Sequence, residues 1–140
     1  MILPENSIEV SALISVPVQK AWSIWINEED IQIWNSASED WHTPKAFNDF
    51  SLGGRFLWRM ETKDGSIAFD FSGTYTDIEL YSLIAYTIDD GRKVTVQFKR
   101  TDIGTKVIQH FQAENQNTLA LQKEGWQSIL SHFKQYAENH

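Results

Sequence analysis

The sequence predicts an α+β fold: a curved antiparallel sheet of about six or seven strands, two short helices, and a long C-terminal helix packed across the sheet. Three observations predict it. Strand-like alternation broken by tight turns fills the chain from Trp41 to Ala113. Two short apolar faces at helical spacing come before it, and one long amphipathic stretch from Leu119 onward comes after it. The 140 residues, 41% of them hydrophobic, contain no repeat, low-complexity tract or linker, so residues 1–140 read as one domain able to bury a core.

Each element follows from local pattern. Ile8, Val10, Ala12 and Ile14 alternate with Ser7, Glu9, Ser11 and Leu13, which predicts a first strand over Ser7 to Ser15. Pro17 suits the first turn of a helix, where its missing N–H costs nothing, and Val18, Ala21, Trp22 and Trp25 give that helix one apolar face. Asn27 reads as the cap of a second short helix ending near Trp34, with Glu28, Glu29 and Asp30 in its first turn. Gly53-Gly54 marks a turn or bulge.

Asp64-Gly65 predicts a type I′ hairpin, which sets Met60 against Phe69, Trp58 against Phe71 and Phe56 against Gly73. Two independent apolar patterns then share one face. The same arithmetic at Asp90-Gly91 sets Thr87 against Val94, Ala85 against Val96 and Leu83 against Phe98. After a turn at Asp102 to Gly104, a last strand places Thr105, Val107, Gln109 and Phe111 on one face. In the closing stretch Leu119, Gln122, Trp126, Ile129, Leu130, Phe133 and Ala137 recur at steps of three and four. A helix of that length spans about 30 Å. Gly125 inside it costs roughly 1 kcal/mol against Ala, a cost that close backbone approach or space left for something else would explain. Strand, two helices, about six strands, long helix: this is the order of a helix-grip fold, in which a curved sheet cannot lie flat along the helix and a gap opens between them.

Composition narrows function. Net charge is −7 and the twelve Lys and Arg are scattered, which argues against nucleic acid and anionic membrane surfaces as partners. No apolar run is long enough for membrane insertion, and Met1 to Ser7 lacks a basic region followed by an apolar one. The absence of Cys removes thiol chemistry and is compatible with a cytoplasmic location. The four His (His42, His110, His132, His140) show no metal-ligand spacing, and no G-x-S-x-G element or phosphate-binding loop occurs, so neither metal nor cofactor is expected.

The chain resembles the family named after the activator of the heat-shock-protein ATPase, within the SRPBCC (START-like, birch-pollen-allergen-like) superfamily. The resemblance runs from Trp34 to His42, through Asn48-Asp49-Phe50, Gly53-Gly54-Arg55-Phe56, Arg59-Met60-Glu61, Lys63-Asp64-Gly65-Ser66, Phe69-Asp70-Phe71, Gly73-Thr74-Tyr75 and Asp90-Gly91-Arg92, to Gln122 through Leu130. Their order over the whole chain carries it. It implies an internal hydrophobic cavity and binding of a small hydrophobic molecule, lipid-like or aromatic, with a tie to stress response. It implies a cyclase- or hydrolase-like reaction less firmly, because the superfamily includes binders and enzymes alike. Chaperone stimulation belongs to longer eukaryotic members with an additional N-terminal domain, for which this chain leaves no room; a small co-chaperone-like interaction module is the third reading. A homodimer is compatible with the sequence, which identifies no interface.

The candidate cavity residues are Trp25; Trp41, Phe56, Trp58 and Met60; Phe69, Phe71 and Tyr75; Val96 and Phe98; Val107, Gln109 and Phe111; and Gly125, Trp126 and Ile129. Trp58, Met60, Phe69 and Phe71 fit sheet core and cavity lining equally, and Trp126 fits a core anchor better. Gln109 and Thr105 are candidate hydrogen-bonding groups on an apolar face. Arg59 and Asp70 fit a cross-strand charge pair on the convex face. Asp40-Trp41-His42 lies in the connection to the sheet near the expected pocket mouth, with His42 as polar anchor or general base. The competing reading, that Asp40 and His42 satisfy turn backbone while Trp41 packs, is favoured because nothing is spaced to pair with His42.

Overall fold

The apolar alternation at the start of the chain becomes β1 (Ser7–Ile14), and the two short helical faces become α1 (Val18–Ile26) and α2 (Glu28–Trp34). The computed structural model describes residues 3–140; Met1 and Ile2, which open the stretch read for a targeting signal, lie outside the described residues. Six strands follow: β2 (Trp41–Asn48), β3 (Arg55–Thr62), β4 (Ala68–Glu79), β5 (Leu83–Ile88), β6 (Lys93–Thr101) and β7 (Gly104–Gln112). The chain closes with α3 (Leu119–Asn139). All neighbours in the sheet are antiparallel, in the order β1-β7-β6-β5-β4-β3-β2. Bulges in β2, between His42 and Lys45, and in β4, between Tyr75 and Asp77, help curl it into a half-barrel. Pro44 falls in the β2 bulge on an edge strand, where its missing N–H breaks no ladder.

Pro17 sits one position earlier than expected, as the N-cap of α1 with φ −60°. Asn27 caps α2 as its chemistry demands: its Oδ1 accepts from Glu29 N at 2.9 Å and Asp30 N at 3.1 Å. Val18, Ala21, Trp22 and Trp25 are all buried. Trp34 ends α2 fully enclosed, its Nε1 donating to the Ile24 carbonyl. Trp41 and His42 do not belong to a connection. They open β2, because the turn at Ser38 to Asp40 is short enough for pairing to start at Trp41.

The Asp64-Gly65 hairpin has the expected register, with Met60 opposite Phe69, Trp58 opposite Phe71 and Phe56 opposite Gly73. Its turn is not type I′. Thr62 N donates to Ile67 O across a longer loop, and only Gly65 has positive φ, at 78°. Two- and four-residue loops about the same centre give the same pairing, so register survives the change of turn. Asp64 instead accepts bonds from Ser66 N, Ser66 Oγ and Thr62 Oγ1, which hold its carboxyl down to about 2. The second hairpin differs in register as well. Gly91, at φ 95°, donates to Ile88 O, and Ile88 N donates to Arg92 O, leaving a three-residue loop. Thr87 therefore faces Lys93, Ala85 faces Thr95 and Leu83 faces Gln97, one residue away from expectation. The odd loop turns Tyr86, rather than Ala85, toward the concave side, where Tyr86 meets Phe56 and Phe71.

α3 is anchored along the sheet's edge. Thr118 Oγ1 caps it by accepting from Leu121 N. Gln127 Nε2 donates to Ser11 O at 3.1 Å, Lys134 Nζ donates to Leu13 O at 2.8 Å, and Glu138 accepts from Ser15 N at 2.9 Å. These three bonds cover the C-terminal half of the open edge of β1 and its exit. Leu130, Phe133 and Ala137 are fully enclosed, with the Phe133 ring 4.8 Å from Trp25 and 5.0 Å from Trp34. Leu119, expected on the apolar face, is exposed in the first turn, clear of the core.

At Gly125 the close-approach explanation fails. A Cβ there meets nothing within 4 Å, so no close crossing requires glycine and a methyl would not intrude. Gly73 is the opposite case, since a Cβ would run into the Thr87 carbonyl and the Phe56 ring. Gly125→Ala is accordingly expected to stabilise the protein by about 1 kcal/mol. Gly73→Ala is expected to destabilise it by about 2 kcal/mol or more. Urea unfolding of both variants checks the pair. Burial pushes the phenols of Tyr75 and Tyr86 above their ordinary value of 10.0. The folded state then holds these protons more tightly than the unfolded chain, so the contribution is complete below pH about 10 and is lost as pH rises beyond it. Tyr86→Phe is expected to flatten the fall of Tm at alkaline pH; an unchanged slope would count against the assignment.

Candidate functional site

Because α3 is fastened along β1 and seals on Trp25 and Trp34 through its C-terminal half, its N-terminal half stands away from β3, β4 and β5. A hollow of about 450 Å³ lies there. Trp25 and Trp34 form one end, Trp58 and Met60 of β3 with Phe69 and Phe71 of β4 form the sheet wall, and Trp126 and Ile129 of α3 form the roof. Tyr86, Gln109 and Asn35 contribute polar groups, while Arg92, Glu114, Gln116, Asn117 and Gln122 form the rim. Trp126 lies flat on Phe111, rings 4.0 Å apart and 7° from parallel, with its edge toward Phe71 at 6.1 Å. Gln122 fixes the rim: its Oε1 accepts from Glu114 N, and its Nε2 donates to the carbonyls of Glu114 and Asn117.

The structure gathers eight of the expected residues around this hollow: Trp25, Trp58, Met60, Phe69, Phe71, Gln109, Trp126 and Ile129. Phe56, Val96, Phe98, Val107 and Phe111 lie outside the lining and are at most 4% exposed; they are the packed floor. Tyr75 packs on Phe50 and Phe56 and donates to Asn48 Oδ1. Gly125 faces open space and takes no part in the wall. Trp41 packs edge-on against Phe69 at 5.9 Å from a separate outer groove that also holds His42 and His132. His42 is thus not at the cavity mouth; its Nε2 pairs with Glu61 Oε1 across β2 and β3 at 3.1 Å. Thr105 is buried and donates to Val16 O, which ties β7 to the start of α1 rather than offering a ligand contact. Arg59 and Asp70 form the expected cross-strand pair at 3.2 Å.

Residues that sequence reasoning missed are informative. Trp34 carries no strand or hairpin register, and only its place at the end of α2 puts it in the wall. Tyr86 was lost with the register of the second hairpin, whose three-residue loop no Asp-Gly rule distinguishes. Gln109 and Tyr86 are each 5% exposed, and among the described residues neither side chain has a hydrogen-bond partner. Burial keeps the Tyr86 phenol protonated, hence a neutral donor. Trp58 Nε1 is closed to solvent and also unpaired. Among the described residues no three His, Asp or Glu side chains converge as metal ligands.

The family model for Activator of Hsp90 ATPase homolog 1-like protein matches residues 15–138. The chain belongs to this family. An AHSA1-like protein from Aeromonas hydrophila, solved in solution, is 43% identical over 95% of this chain and 92% of its own, with TM-score 0.89. A protein from Cytophaga hutchinsonii is 42% identical over 96% and 93%, with TM-score 0.83. A crystal structure from Chromobacterium violaceum, 18% identical over 95% and 97% with TM-score 0.85, shares the fold alone. A comparison with curated proteins gives no match. Family membership and the curved sheet are compatible with ligand binding, and the family's name adds nothing about which ligand. His42→Ala is expected to leave the affinity of any ligand bound under α3 unchanged, as measured by titration. A substantial loss would return His42 to the site.

Proposed function

We propose that this protein binds a small hydrophobic molecule, lipid-like or aromatic, between the sheet and α3. The observation that carries the reading is the hollow under the N-terminal half of α3, walled by four Trp side chains. Its volume of about 450 Å³ lies within the range of ordinary small-molecule sites, roughly 300–1,000 Å³. Aromatic walls of this kind are costly to leave wet and gain from an apolar occupant. No helix among the described residues is long and apolar enough to cross a membrane. We place the protein in the cytoplasm, a reading with which the absence of Cys is compatible. The acid–base alternative loses the support of His42, which lies in another groove.

Four Trp around one hollow make the test direct. Titration with a panel of fatty acids, sterols and polycyclic aromatics should give saturable change in Trp fluorescence for at least one member. Ile129→Trp, which fills the hollow from α3, should abolish that response while leaving circular dichroism unchanged. A flat response across the panel would remove the ground for the reading.

A further inference from the structure

We infer that the cavity selects an uncharged aromatic compound carrying a hydrogen-bonding oxygen, engaged by Gln109 and Tyr86, and discriminates against carboxylates. The inference rests on the binding reading above and narrows its ligand class. Two independent features carry it. The first is the pair of unspent polar groups inside an aromatic wall. Gln109 on β7 and Tyr86 on β5 project from the same concave face, each nineteen-twentieths buried, and neither spends its side chain on the protein among the described residues. A plain hydrocarbon in this space would strip water from an amide and a phenol and return nothing, which costs free energy. A carbonyl or hydroxyl oxygen restores those bonds. Flat rings also suit the walls offered by Trp25, Trp58, Phe71 and Trp126, and a rigid ring system loses less freedom on binding than an alkyl chain.

The second feature is charge. Arg92 is the single cation among the lining residues, and its Nε is already spent on Asp90 Oδ2 at 2.8 Å. Glu114 stands on the same rim, its carboxylate fixed by the backbone N–H groups of Gln116 and Asn117 at 3.0 and 2.8 Å. The mouth and its immediate neighbour thus carry two carboxylates, Asp90 and Glu114, for one guanidinium, which is paired with Asp90. An acid entering this mouth brings a third negative charge to a cation that is already neutralised, in a protein of net charge −7. Binding a carboxylate here means desolvating it against neutral donors alone, with the one cation at the mouth already sharing its charge with Asp90.

A matched series separates the outcomes: fluorenone, fluorene (the same rings without the oxygen) and fluorene carboxylate, titrated into the full chain with Trp fluorescence as readout. Fluorenone should bind saturably, and both fluorene and the carboxylate should bind about tenfold more weakly. Gln109→Leu and Tyr86→Phe, each checked for folding by circular dichroism, should shrink the fluorenone-to-fluorene ratio without weakening fluorene. Equal binding of fluorene and fluorenone, or preference for the carboxylate, overturns this proposal and leaves the cavity reading standing. So does failure of all three while a fatty acid from the wider panel binds. Failure of every compound in both sets overturns the two readings together.

Discussion

The open edge of β1 is the constraint on which the rest depends. Ser11 and Leu13 turn their carbonyls, and the following Ser15 its N–H, away from β7, and Gln127, Lys134 and Glu138 of α3 answer them one by one. An edge strand left bare is a template for unwanted pairing, so covering it has value of its own. Doing so with side chains from a single helix also decides where that helix lies. α3 runs along the β1 margin of the curled sheet, and its N-terminal half stands clear of β3 and β4 across the hollow.

The aromatic residues divide along this line. Where α3 reaches the core, Phe133 meets Trp25 and Trp34 edge-on and the space is filled. Where α3 stands off, Trp126 bridges to the sheet by lying on Phe111 and pointing its edge at Phe71. A flat stack is a thin support compared with interdigitated side chains, and it leaves room on its other side. The same bulges that curl the sheet bring Phe69, Phe71 and Tyr86 around to face that room. Cavity and lid are therefore consequences of one anchoring choice.

Much of this was legible in the chain, for definable reasons. Helix caps such as Asn27 depend on local chemistry, and the β3–β4 register followed from two apolar patterns that had to coincide. Loop geometry was less legible. Asp-Gly at 64-65 and at 90-91 look alike in sequence, yet one closes a four-residue loop and the other a three-residue loop, and only the first preserves the register. That single residue hid Tyr86. Of the two explanations open for Gly125, close approach fails because a Cβ would meet nothing within 4 Å, and the space it faces is not part of the hollow's lining. The division between floor and wall depends on where α3 sits, and the three side-chain bonds that decide this span more than a hundred residues of sequence.

The feature that survives in altered form is the closing helix: Trp126 and Ile129, not Gly125, mark where it leaves space. An experimental structure determined from crystals under xenon pressure tests this most directly, because xenon seeks apolar voids of this kind. Xenon is expected between Ile129 and the Trp58–Phe71 wall, with Trp126 still stacked on Phe111. Side chains of α3 collapsed onto that wall, with no xenon between them, would contradict it.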